Sequence, residues 1–200
     1  MQMTIDFSIG IIFSYLLGSI PTAYIFAKAL KGIDIRNYGS GNVGATNAFR
    51  VLGKIPGSIV LIIDLTKGLL AVVLFGNLFA ETLFIRAIFG LSSVCGHNWT
   101  IFLKGKGGKG VATTIGVIAG LAISAKELLP IFALTVVTWF LVFLVTRIVA
   151  IASMISAIFF PFFMIFFKQS ISLILLSFIL TVFIIIRHKS NIIKILHKEK

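Results

Sequence analysis

Seven apolar runs separated by short charged connections fill almost the whole chain: residues 7–30, 55–80, 83–103, 111–125, 128–146, 148–167 and 171–186. Each is apolar nearly all round rather than along one stripe, the pattern of helices whose outer surface meets lipid. Strands of a membrane barrel alternate over about ten residues, and these runs do not alternate. A crossing helix takes about 20 residues at about 1.5 Å of rise each. The 200 residues therefore hold about seven spans with short connections and no separate soluble domain. The fourth and seventh runs are short and the second and third carry charges, so five spans, with apolar segments in the interface, is the alternative count. The expected fold is an all-α integral membrane protein of about seven transmembrane helices, one polytopic domain over residues 1–200.

Composition excludes other classes. Only 12% of residues are charged, against about a quarter in soluble domains. Such a chain cannot clothe a globular surface in ions, which rules out a soluble enzyme, a disulfide scaffold or a disordered tail. The net charge of +12 would suggest nucleic acid on a soluble protein. Beside membrane spans, basic residues face anionic headgroups instead, so membrane lipid is the expected partner and nucleic acid is not. Cys95 is the single cysteine, which leaves no internal disulfide and no thiolate metal cluster. Carboxylates are few and the histidines dispersed, so no metal is expected. The opening Met-Gln-Met-Thr-Ile-Asp lacks the basic region of a cleaved signal, and the first run reads as a retained span.

The distribution of charge predicts orientation. With seven spans, Lys31, Arg36, Arg50, Lys54, Lys104, Lys106, Lys109, Arg147, Arg187, Lys189, Lys194, Lys198 and Lys200 all fall on one side. The other side receives only Arg86, Lys126 and Lys168. That asymmetry marks cytoplasmic against external connections, placing the N-terminus outside and the C-terminus inside.

Polar residues concentrate in three connections on the predicted cytoplasmic side, near 31–54, 104–114 and 187–200. Two of them match G-x-G-x-x-G, at Gly39/Gly41/Gly44 and Gly105/Gly107/Gly110, with Asp64 twenty residues beyond Gly44. A dinucleotide fingerprint needs a strand before the loop and a βαβ unit around it. Here membrane spans bracket both loops, and neither closes with the Gly-Lys-Ser/Thr of a P-loop. The physics of an anion site survives without those motifs: glycine lets successive N–H groups converge, and a helix N-terminus adds its dipole. In the first loop Ser40, Asn42, Thr46 and Asn47 are hydrogen-bonding candidates around Gly41, with Arg36 and Arg50 as phosphate forks. In the second, Lys106 and Lys109 flank Gly107, Gly108 and Gly110 directly before the fourth run. His188 and Asn191, three apart, are expected on one helical face. Ser153 lies one turn into the sixth run, facing the same site. His97 and Asn98 end the third run near the second loop. Asp64 and Lys67, i and i+3 in the second run, can neutralise one another; intramembrane ions read as functional, and a structural pair is the alternative.

Together these motifs resemble the bacterial acyl-phosphate:glycerol-3-phosphate acyltransferase family, the PlsY type. The resemblance rests on Gly39-Ser40-Gly41-Asn42-Val43-Gly44-Ala45-Thr46-Asn47, on Lys106-Gly107-Gly108-Lys109-Gly110-Val111-Ala112-Thr113, and on Arg187-His188 with Asn191-Ile192. Asp64, Lys67-Gly68 and Gly96-His97 are further landmarks. It implies a seven-span enzyme of the bacterial inner membrane that moves a fatty acyl group from acyl phosphate to the sn-1 hydroxyl of glycerol 3-phosphate. The products are lysophosphatidic acid and phosphate, with no cofactor, and a soluble acyl-phosphate synthase is an implied partner. The resemblance assigns Ser40, Arg50, Lys109, Ser153, His188 and Asn191 to holding phosphate and orienting the nucleophile. Gly41, Asn42, Lys106, Gly107, Gly108, Gly110 and Thr113 lie in the binding loops. The tail departs from the family, with Lys194 where an Arg is usual and His197-Lys198-Glu199-Lys200 in place of a Gly-x-Glu ending. The His-x4-Asp pair of the soluble-type acyltransferases is missing, and no carboxylate base is evident. Direct attack on an activated acyl phosphate fits, with His188 or a substrate phosphate as base. A transporter for an anionic solute is the rival from another class, although internal repeats are lacking and the polar motifs gather at one face.

Overall fold

The computed structural model describes residues 2–197, with ten α-helices, three single-turn 3-10 segments and no strand among them. Lys198, Glu199 and Lys200, counted above in the tail, lie outside the described residues. The chain forms two compact units, one running through Lys126 and the other starting at Glu127.

The first unit contains α1 (Gln2–Ser19), α2 (Thr22–Lys31), α3 (Ala45–Leu52), α4 (Lys54–Phe79), α5 (Leu83–Asn98) and α6 (Val111–Ser124). The first apolar run breaks between α1 and α2 because Pro21 has no amide hydrogen to continue the helix. α2 stops at Gly32, whose φ of 67° suits glycine and whose N–H donates to the Lys28 carbonyl at 3.0 Å.

α1 packs on α5 and α4 on α6, and glycines set both seams. A Cβ on Gly18 would strike the Ser93 carbonyl, and one on Gly116 the Leu65 carbonyl. Lipid offers no hydrophobic force between helices, so small residues that let backbones approach hold such pairs together. The α4–α6 seam fixes where α6 begins, and the α1–α5 seam fixes where α5 ends. Both ends matter to the site.

α3 lies inside the connection read from sequence as a loop. Its eight residues are too few for periodicity to stand out, yet Ala48 is fully buried with Ala23, Ala27, Ile35, Val43, Val60 and Leu103. That small core clamps the segment between α2 and α3.

The second unit contains α7 (Leu129–Thr146), α8 (Val149–Phe166), α9 (Ile171–Arg187) and α10 (Lys189–Leu196), with α8 packed on both α7 and α9. The Thr181 hydroxyl donates to the Ala157 carbonyl at 2.6 Å across the α8–α9 seam.

Among the described residues, four segments are long and apolar enough to cross a membrane: Gln2–Lys31, Lys54–Phe79, Lys126–Thr146 and Val149–Phe166. The pair α9 and α10, bent by 56°, makes a fifth if counted as one span. α5 and α6, at 16 and 14 residues, fall below the usual span length of about 17–25. The architecture is an all-helical, multi-pass membrane protein with four or five spans by length, short of the seven expected from the apolar runs.

Candidate active site

The first glycine loop is shaped from within. Gly39 and Gly41 take φ of 62° and 70°, the left-handed region that glycine enters without strain. Asn47, on α3 and buried, reaches back into the loop. Its Oδ1 accepts from the Ser40 N–H at 2.9 Å, and its Nδ2 donates to the carbonyls of Tyr38 (3.0 Å) and Ile35 (3.4 Å). The Gly41 N–H donates to the Tyr38 carbonyl at 3.0 Å. The N–H groups of Ser40 and Gly41 are thus engaged inside the loop, and so is the Asn47 side chain, which sequence reasoning placed among the ligand donors. What the loop presents outward is side-chain chemistry. Ser40 and Arg50 are exposed and Asn42 is half-buried.

Arg36, the other fork candidate, is occupied. Its Nη2 meets Asp34 Oδ2 at 2.6 Å and its Nε meets Oδ1 at 2.9 Å, a bidentate pair that also places the guanidinium over the Tyr24 ring. Hydrogen bonds from the Arg36 side chain hold the Asp34 carboxyl at about 2. Arg50 therefore remains as the cationic fork of this loop.

The second loop is tied to the end of α5. The Gly108 N–H donates to the His97 carbonyl at 2.9 Å, and the Gly105 N–H to the Thr100 carbonyl at 2.9 Å. Gly107 and Gly108 are buried against His97, so closely that a Cβ on Gly107 would meet the His97 carbonyl and one on Gly108 the imidazole itself. Gly110, at φ 77°, opens α6 directly, as the sequence implied. The first-turn N–H groups of Val111, Ala112 and Thr113 then have no carbonyl a turn before them. Lys106 is exposed and Lys109 half-buried beside this helix start. Thr113 is fully buried, and its hydroxyl has no hydrogen-bond partner among the described residues; the same holds for both amide atoms of Asn98.

The two glycine loops meet. A crevice in the first unit is bordered by Val43 of the first loop, Gly107 and Gly108 of the second, and Ser19, Thr22 and His97. Under it lies a buried polar cluster that includes Asp64 and Lys67, 2.7 Å apart. Sequence reasoning paired those two but missed Thr22, whose hydroxyl bonds both, and Thr100, whose hydroxyl donates to the Ser19 carbonyl beside them; a lone Thr in an apolar run carries no signal.

In the second unit, Ser153 is buried on α8. Its hydroxyl donates to the Val149 carbonyl at 2.8 Å and accepts from Trp139 Nε1 at 3.2 Å. His188 sits at the bend between α9 and α10, not inside one helix as the spacing suggested. It is nonetheless close to Asn191, whose N–H donates to the His188 carbonyl at 2.8 Å. His188 Nδ1 lies 2.8 Å from the Ile184 carbonyl. A carbonyl only accepts, so this contact places a hydrogen on Nδ1.

A family model described as glycerol-3-phosphate acyltransferase matches residues 8–198. The chain belongs to the glycerol-3-phosphate acyltransferase family. A glycerol-3-phosphate acyltransferase of Prochlorococcus marinus is 43% identical, over 94% of this chain and 92% of its own. Glycerol-3-phosphate acyltransferase 2 of Moorella thermoacetica is 42% identical, over 94% and 93%. The crystal structure of PlsY, an integral membrane glycerol 3-phosphate acyltransferase, in its glycerol 3-phosphate form is similar with a TM-score of 0.87 at 36% identity, covering 97% of this chain and 94% of that one. Its lysophosphatidic acid form gives 0.84 at 34% identity, covering 97% and 93%. Membership of the glycerol-3-phosphate acyltransferase family makes this chain an acyltransferase of phospholipid biosynthesis and sets aside the transporter reading.

Proposed function

We propose that the enzyme transfers a fatty acyl group from acyl phosphate to the sn-1 hydroxyl of glycerol 3-phosphate, releasing phosphate and 1-acylglycerol 3-phosphate. The observation that supports this most is the approach of Val43 of the first glycine loop to Gly107 and Gly108 of the second around one crevice of the first unit, with Arg50, Lys106 and Lys109 elsewhere along or beside these loops. Both proposed substrates carry phosphate, and the acyl donor needs access from lipid. Relatives named for glycerol 3-phosphate, and a similar structure in a glycerol 3-phosphate form, agree with the acceptor.

In the proposed mechanism Lys109, Lys106 and the start of α6 hold one phosphate, with Gly107, Gly108 and Gly110 permitting its close approach and Thr113 in the same turn. Ser40, Asn42 and Arg50 hold the acceptor, with Gly41 supplying the left-handed turn that presents them. The acceptor oxygen attacks the acyl carbonyl carbon, the bond from that carbon to the phosphate oxygen breaks, and phosphate leaves with the electron pair. The hydroxyl proton goes to His188 or to a substrate phosphate, and the family resemblance assigns Asn191 and Ser153 to orienting the nucleophile and holding phosphate. Fixed cationic and hydrogen-bonding groups stabilise charge on the carbonyl oxygen and leaving group without reorganising. Acyl phosphate is already activated, so the step proceeds without acyl-enzyme, metal or cofactor. The proposed setting is the bacterial inner membrane with the loops toward the cytoplasm, α5 and α6 serving as short spans to make seven, the N-terminus outside. A soluble synthase supplies acyl phosphate there.

Purified protein given palmitoyl phosphate and glycerol 3-phosphate tests the reading. Formation of lysophosphatidic acid with one phosphate per product supports it. Product from palmitoyl-CoA alone, or none from either donor, refutes it.

A further inference from the structure

The mechanism leaves unused a cluster of ionisable groups inside the first unit. Asp64 and Lys67 are each 2% exposed, mid-way along α4. A buried ion pair is a weak source of stability, because desolvation offsets its attraction and apolar residues of similar volume often serve as well. Its contacts indicate another use.

The Lys67 ammonium has three donors and three acceptors around it: Asp64 Oδ1 at 2.7 Å, the Ile20 carbonyl at 2.6 Å and Thr22 Oγ1 at 2.5 Å. The Thr22 hydroxyl in turn donates to Asp64 Oδ1 at 3.0 Å. Thr100 donates to the Ser19 carbonyl at 2.5 Å. Carbonyls released where Pro21 interrupts the first helix are thereby satisfied by the pair and by the turn after α5. On its other side Asp64 Oδ1 faces His97 Nδ1 at 3.8 Å. His97 presses its ring against Gly108 while its carbonyl receives the Gly108 N–H. One continuous set of contacts runs from the α1–α2 break, through Lys67, Asp64 and His97, to the backbone of the second glycine loop.

We propose that Asp64, Lys67 and His97 are positioning residues that hold the Gly107–Gly108 turn in the conformation that receives substrate phosphate. This rests on the phosphate-binding role proposed above for that loop. None of the three touches substrate. They act by fixing the His97 ring, which limits where Gly108 can lie.

The test is the double variant Asp64→Leu/Lys67→Met, which removes both charges at similar volume, together with His97→Phe, which keeps a ring against Gly108 but no ring nitrogen toward Asp64. Arg86→Met is the control, because Arg86 bonds Asn77 at 2.7 Å near the far end of α4. Each is purified in detergent, checked for thermal unfolding, and assayed against glycerol 3-phosphate and palmitoyl phosphate separately. A loop displaced by about 1 Å loses on the order of 100-fold in efficiency. The expected result is a KM for a phosphorylated substrate raised by about 10- to 100-fold in the double variant and in His97→Phe. The unfolding temperature of His97→Phe and the control's KM stay near wild type. Folded variants with wild-type KM for both substrates overturn the proposal, and His97→Phe alone decides it if the double variant does not fold. Wild-type protein that forms no lysophosphatidic acid overturns the functional reading itself, an outcome separate from variants that match an active wild type.

Discussion

Asn47→Asp is the sharpest perturbation of the first glycine loop. The replacement is nearly isosteric, so no cavity or clash is introduced at this buried position. The acceptor oxygen that takes the Ser40 N–H is kept, while the nitrogen that donates to the Tyr38 and Ile35 carbonyls becomes a second oxygen. Two hydrogen bonds are lost and a buried carboxylate oxygen now faces two carbonyls. Each lost bond is worth about 1 kcal/mol, and an unmatched buried acceptor adds about 1–3 kcal/mol. The lower end of the sum, about 3 kcal/mol, falls on local opening of the loop rather than on the whole molecule. At about 1.4 kcal/mol per tenfold, amide exchange at Ser40 and Gly41 should accelerate by about 100-fold. Hydrogen exchange of the purified enzyme in detergent measures this directly, with kcat/KM for glycerol 3-phosphate as the functional companion. Unchanged protection of Ser40 and unchanged kcat/KM would refute the claim that Asn47 shapes this loop.

Other expectations concern the seams, the ion pair and the base. Gly116→Ala drives a Cβ onto the Leu65 carbonyl; overpacking of this kind costs about 1–3 kcal/mol, so Tm in detergent should fall by several degrees, and an unchanged Tm contradicts the close α4–α6 approach. The Asp34 carboxyl, held at about 2 by Arg36, stabilises the loop fully above its unfolded value of about 3.9 and loses that contribution as pH falls toward 2. Carbon-13 NMR titration should show this midpoint, and one near 3.9 contradicts the pairing; with the side chain 28% exposed, Asp34→Asn should cost no more than about 1 kcal/mol. His188→Ala should lower kcat by about 100- to 10,000-fold, and near-normal kcat with a raised KM would exclude His188 as the obligate base.

The membrane class and the positions of the helices were legible because apolar runs and basic connections follow from the dielectric of the bilayer alone. The glycine loops stood out as candidate anion sites because their glycines and lysines have few other uses at a membrane face. What escaped was set by contacts between distant segments. At the break, the Ile20 carbonyl accepts from the Thr22 N–H at 3.0 Å and also from Lys67, a residue 46 positions beyond Pro21. Asn47 and Arg36 looked like ligand donors until partners in the fold, Tyr38 and Asp34, engaged them. α3 and α10, of eight residues each, are too short for periodicity to separate from loops, and the bend at His188 has no proline or glycine to announce it.

Equilibrium titration of glycerol 3-phosphate into the purified enzyme tests most directly whether the two glycine loops grip phosphate. Binding should be saturable, competed by inorganic phosphate and absent for glycerol, and weakened by about 10-fold or more, as for lost charge-assisted contacts, in Ser40→Ala and in Lys109→Ala but not in Lys168→Ala. Equal affinity for glycerol, or loop variants that bind as wild type does, would contradict it.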